Sequence, residues 1–140
     1  MRTSSLWLLV GALLLMPALP AISAGDTEEA ENTEEKKPIH YHELQPSIVA
    51  NVQKGAKYLR ADIQLMTRED GDLVELKRHA PALRHELILL ISDQEGSQLK
   101  HPKGKESFRK SALRALQKVM LDITGKERVE ELFFSSFFVQ

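Results

Sequence analysis

Cysteine is absent from this chain, which removes disulfide frameworks, thiolate metal sites and cysteine nucleophiles in one step. Aromatic residues are scarce at 6%, and neither sign of charge dominates, the formal net charge being −1. A near-neutral balance argues against a nucleic-acid binder, because phosphate backbones are held by clustered positive charge. Gly-rich phosphate loops are missing, as are Gly-x-Ser-x-Gly and any Ser-x-x-Lys with supporting partners. Asp70 and Asp72 flank Gly71 as at the start of a calcium loop, but the remaining acidic ligands are lacking and a turn is expected. The five histidines are scattered: His40 and His42 project to one face of an extended segment, while His79, His85 and His101 lie apart. With no carboxylate cluster beside them they read as surface or edge residues rather than metal ligands. No catalytic, cofactor-binding or metal-binding residue and no small-molecule substrate is expected.

What is present begins with an apolar N-terminus. Arg2 precedes the uncharged stretch Leu6–Met16, followed by Pro17, Pro20 and Ala21-Ile22-Ser23-Ala24-Gly25. This matches a secretory signal peptide over residues 1–24, cut between Ala24 and Gly25. The competing reading is a retained anchor over residues 6–24, which just reaches a bilayer-spanning length but is interrupted by both prolines. Either reading exports everything from Gly25 onward. Residues 25–38 form an acidic linker without apolar periodicity, expected to be disordered; Asp26–Glu35 carries six acidic residues and no basic one. From Pro38 onward the balance reverses to a net of +2.

Residues 39–140 are the expected domain. Ile39–Val52 looks extended, with Pro46 forcing an edge position or a bulge. Gln53–Lys57 is a turn, and Leu59, Ala61, Ile63 and Leu65 then alternate with polar residues as in a strand buried on one face. A turn at Glu69–Asp72 leads into Leu73–Ser92, mostly helical, with Pro81 in the first turn of its main helix. Leu83, Leu87, Leu90 and Ile91 form its apolar face, with Ile88 beside them. Asp93–Lys105 reads as a loop. A second helix runs from about Glu106 to Ile123, striped by Phe108, Ala112, Leu113, Leu116, Met120 and Ile123, and Thr124–Lys126 stops it. The last twelve residues, V-E-E-L-F-F-S-S-F-F-V-Q, hold four of the five phenylalanines. By strand parity Val129, Phe133, Phe137 and Val139 point one way and Leu132, Phe134 and Phe138 the other, the pattern of a strand in mid-sheet or covered on both faces. The fold class is therefore α+β, in the order β-β-α-α-β, with helices on one face of a small sheet.

One charge pattern points to a partner. Lys110, Arg114 and Lys118 fall on one line of the second helix at i, i+4 and i+8. A solvated helix face accounts for it; the functional reading is a docking face for an acidic partner or anionic lipid headgroups.

Several short motifs occur in order: Tyr41-x-x-Leu44-x-Pro46 with Val49-x-Asn51, then Lys57-Tyr58-Leu59-Arg60-x-x-Ile63, then His79-Ala80-Pro81-x-Leu83-Arg84 with Ile88–Ser92, and last Phe133-Phe134-Ser135-Ser136-Phe137-Phe138-Val139-Gln140. Together they resemble the FliL family of flagellar basal-body-associated proteins over residues 41–140. The resemblance implies a stomatin-like (SPFH-type) periplasmic domain at the inner membrane. It also implies assembly into rings and association with MotA/MotB stator units, through which torque, swimming, swarming and chemotaxis are affected, without catalysis. The sequence departs from the family at its N-terminus, where five residues precede a short, proline-broken apolar segment in place of a basic stretch and a robust transmembrane helix. A ring gives the uncovered face of the last strand something to pack against, which makes Phe134 and Phe138 candidate oligomer contacts. The alternative is a soluble periplasmic adaptor that docks an acidic partner on the Lys110, Arg114, Lys118 face.

Overall fold

The computed structural model describes residues 36–140, so the Ala24–Gly25 cleavage site and most of the acidic linker lie outside the described residues. Eight elements follow one another: β1 (His40–Glu43), β2 (Ile48–Asn51), β3 (Tyr58–Thr67), α1 (Asp70–Arg78), α2 (Ala80–Ser92), α3 (Gly96–Leu99), α4 (Pro102–Thr124) and β4 (Glu131–Val139). The fold is α+β, with one small sheet that is antiparallel throughout.

β3 is the centre of that sheet. β1 lies opposite Glu43↔Gln64 to His40↔Thr67, and β2 opposite Asn51↔Tyr58 to Ile48↔Ala61, so the two short strands share one edge of β3. The expected single segment Ile39–Val52 is thus two strands. Pro46 has no N–H to offer the ladder, and pairing lapses from Gln45 to Ser47. β4 occupies the other edge of β3, from Leu59↔Val139 to Met66↔Glu131. The last strand is therefore an edge strand among the described elements, not one in mid-sheet.

The helical half differs in its boundaries. Asp70 and Asp72 belong to the first turn of α1 rather than to a turn, where their negative charge suits the positive end of the helix. α4 begins at Pro102, four residues before the expected start, because a first-turn proline loses no hydrogen bond and its φ is already helical. Gly104 is needed there: a Cβ would fall 2.0 Å from the Gln98 carbonyl oxygen of α3. Gly125, at φ 78°, ends α4 in the left-handed conformation.

One face of the sheet carries the core. Leu59, Ala61, Ile63 and Leu65 of β3 are buried beneath Leu83, Leu87 and Ile91 of α2 and Phe108, Ala112, Leu116 and Met120 of α4. Truncating any one of the large members to Ala costs about 2–5 kcal/mol by the usual cavity rule. Ile88, expected beside the first stripe, and Ile123, expected within the second, turn to solvent. Among the described residues no helix is long and apolar enough to cross a membrane.

Candidate functional site: the outer face of the sheet

Among the described residues, the helices cover one side of the sheet and leave the other open. The alternation that buries Leu59 to Leu65 sends Tyr58, Arg60, Asp62 and Gln64 outward. Across this outer face Val49, Arg60 and Phe138 form one row, and Glu43, Gln64 and Phe133 another. Phe138 is 60% exposed, Tyr41 55%, Val49 54% and Phe133 41%. Tyr41 and Phe133 meet across the intervening strand with ring centroids 6.3 Å apart. Tyr58 at the edge of this face bonds Gln140 Oε1 at 2.6 Å, and Arg60 reaches Ser47 at 3.4 Å. The result is an apolar, aromatic surface with a few polar groups among the rings, which is the usual make-up of a protein contact.

A bulge in β4 decides which phenylalanines belong to it. Ile63 pairs with Phe134 and Asp62 with Ser136, so Ser135 is the extra residue, its hydroxyl donating to the Asp62 carbonyl at 3.3 Å. One extra residue shifts parity. Leu132 and Phe134 face the core before it, Phe137 and Val139 after it, and Phe133 and Phe138 face outward. The two candidate oligomer contacts therefore separate. Phe138 is on the open face, whereas Phe134 stacks on Phe108 at 5.8 Å and lies 4.8 Å from Phe137. Lys105 Nζ lies 5.0 Å from the Phe137 centroid and 5.9 Å from that of Phe134.

The basic line of α4 exists as a geometric line but is partly neutralised. Lys118 pairs with Asp122 at 2.6 Å, and that hydrogen bond raises its pKa; Lys110 sits 3.8 Å from Glu106, and Arg114 bonds Ser111 at 3.4 Å. These are exposed pairs of small energetic value.

The histidines do not converge. His40 and His42 share a face, as expected, but it is the side that α1 covers. His40 Nε2 lies 2.9 Å from Asp70 Oδ1, a charge-pair distance without hydrogen-bond geometry, and the buried Nε2 of His42 has no partner. Burial lowers the His42 pKa, and nearby Lys77 lowers it further. His79 pairs instead with Glu75 at 3.3 Å. Among the described residues no three His, Asp or Glu side chains are grouped to hold a metal.

Two polar hubs had no signal in the sequence. Asp72, nearly fully buried, accepts from Lys126 at 2.8 Å and Arg128 at 2.7 Å, so its carboxylate serves a clamp between α1 and the segment after α4. Arg128 reaches it from a left-handed backbone (φ 59°) while donating to Thr124 Oγ1 at 2.6 Å. Arg109 donates to both oxygens of Glu106, to Glu131 at 3.0 Å and to the Leu132 carbonyl at 3.1 Å, joining α4 to β4. Each hub unites residues 22 to 56 positions apart, which spacing along the chain does not reveal.

The model of the family described as "Flagellar basal body-associated protein FliL" matches residues 41–140, nearly the whole folded part. The chain is 24% identical over 101 residues to the "Flagellar protein FliL" of Aquifex aeolicus (strain VF5), an alignment covering 71% of this chain. It spans 60% of that relative's length. The chain belongs to the FliL family of flagellar basal-body-associated proteins.

Proposed function

We propose that the protein is a non-enzymatic accessory of the flagellar motor, held at the periplasmic face of the inner membrane or free in the periplasm. There it assembles with copies of itself into a ring, associates with stator units of the MotA/MotB type and modulates torque. Family membership supports the basal-body setting. The observation that carries the assembly reading is the open aromatic face of the sheet, where Phe138 is 60% exposed and the described helices lie on the other side. A helical layer on one face of an antiparallel sheet is also compatible with the stomatin-like domain that the resemblance implies.

The adaptor reading, docking an acidic partner on Lys110, Arg114 and Lys118, is weakened by the pairing of two of those three side chains with acids of the same helix. A clean deletion tests the motor reading. Flagella should still assemble while swarming and rotation under load fall; normal motility under load would contradict it.

A further inference from the structure

A second surface lies at the opposite end of β4 from Glu131. The β2–β3 turn carries Lys54 and Lys57, and the α3–α4 junction carries Lys100, Lys103 and Lys105. The two loops are tied together, since Lys100 Nζ donates to the Gly55 carbonyl at 2.8 Å and Ser97 N–H to the Lys54 carbonyl at 3.2 Å. None of these five exposed lysines has a salt bridge among the described residues. Glu106, the acid within α4's first turns, is taken up by Arg109. Lysines without ion pairs on neighbouring segments present positive charge to solvent, which an anionic partner complements.

Between the lysines the surface is apolar. A cleft of about 430 Å³ has Phe137, Val139 and Pro102 as its floor and Lys100 and Lys105 on its rim. Its β4 wall also has backbone to offer. Tyr58 and Gln140 exchange both hydrogen bonds, at 2.9 and 3.0 Å, which makes Arg60↔Phe138 the next bonded pair. The N–H and C=O groups of Phe137 and Val139 therefore point away from β3, toward the open edge of the sheet.

We propose that this corner docks an extended acidic segment of a partner protein, which pairs with the edge of β4 at Phe137 and Val139. Its carboxylates meet Lys100 and Lys105, and an aromatic or aliphatic side chain seats on Phe137. Backbone pairing supplies affinity and alternate side chains supply specificity, as in other strand-addition complexes. A second copy of this chain fits poorly in symmetric β4–β4 pairing about these residues, because it would set Lys100 and Lys105 of one copy against their equivalents. A lipid headgroup would use the lysines but neither the apolar floor nor the strand edge. This site is independent of the outer aromatic face and does not rest on the ring reading.

The test titrates a labelled peptide alternating glutamate with phenylalanine into the full chain, followed by fluorescence anisotropy. A peptide with lysine in place of glutamate is the control, and vesicles containing phosphatidylglycerol are assayed in parallel. The expected result is saturable, salt-sensitive binding of the acidic peptide alone, weakened at least about tenfold by Lys100→Glu with Lys105→Glu but not by Lys110→Glu. Amide shifts at Phe137 and Val139 on binding are expected as well. Binding that survives the double reversal, binding that leaves those amides unmoved, or lysine-dependent binding of vesicles without binding of peptide would each overturn the proposal. Circular dichroism of the variants confirms that the exposed substitutions leave the fold intact.

Discussion

His42 shows how a side chain can be read correctly in direction and wrongly in surroundings. Its parity with His40 followed from strand geometry, yet the face it shares lies under α1, which no local pattern indicates. Burial with an unpartnered Nε2 disfavours the protonated ring, so its folded pKa lies below the ordinary value of about 6.5. A lowered pKa means that the unfolded chain binds the proton more readily. Stability is then complete above about pH 6.5 and declines as pH falls from there through the folded value, flattening beneath it. His42→Leu should reduce this acid-side loss, measured as the urea midpoint between pH 5 and pH 8; an unchanged profile would show that His42 is not its source. Phe134 gives a second prediction at this scale. Because it packs on Phe108 and Phe137, Phe134→Ser should lower unfolding free energy by about 2–4 kcal/mol in urea denaturation.

At the scale of elements, what was legible is what repeats locally. The alternation of Leu59 to Leu65 marked β3, and the stripe from Phe108 to Met120 marked α4, because burial on one face imposes its period on the sequence. Three features escaped. The split of Ile39–Val52 into two strands depends on both halves pairing with the same edge of β3. The early start of α4 depends on Gly104 letting that helix approach α3, and the parity switch in β4 depends on one bulged serine. The strand split and the bulge are set by partners distant in sequence, and the start of α4 by the close approach of Gly104 to Gln98, which no hydrophobic period marks. The bulge is testable directly: with Ser135 deleted, Phe134, Ser136 and Phe137 become consecutive opposite Ile63, Asp62 and Ala61, so Leu132, Phe134, Phe137 and Val139 all still face the core in unbroken alternation. The deletion variant should therefore keep a melting temperature close to the parent's. A sharply lowered melting temperature would mean that Ser135 is not the residue that absorbs the parity change.

For the whole molecule, the candidate site was partly visible beforehand. Phenylalanines at the end of the chain pointed to a strand needing cover on two sides, and Phe138 was among the contacts expected. Its pairing with Phe134 was not sound, since both judgments relied on unbroken alternation, and the real companions of Phe138 on that face, Tyr41, Val49 and Phe133, come from three different strands. The basic line on α4 was visible too, but its acids at i−4 and i+4 quench much of it, while the unpaired lysines collect where two loops meet. A domain with helices on one side only and exposed aromatics on the other is half of a layered structure. We propose that copies of this chain supply the missing layer through the outer face. Sedimentation velocity of the full chain and of Phe138→Ser tests it most directly. The parent should form a higher assembly, whereas Phe138→Ser should remain a folded monomer with nearly the parent's urea midpoint; assembly of Phe138→Ser indistinguishable from the parent's would rule out the outer face as the contact.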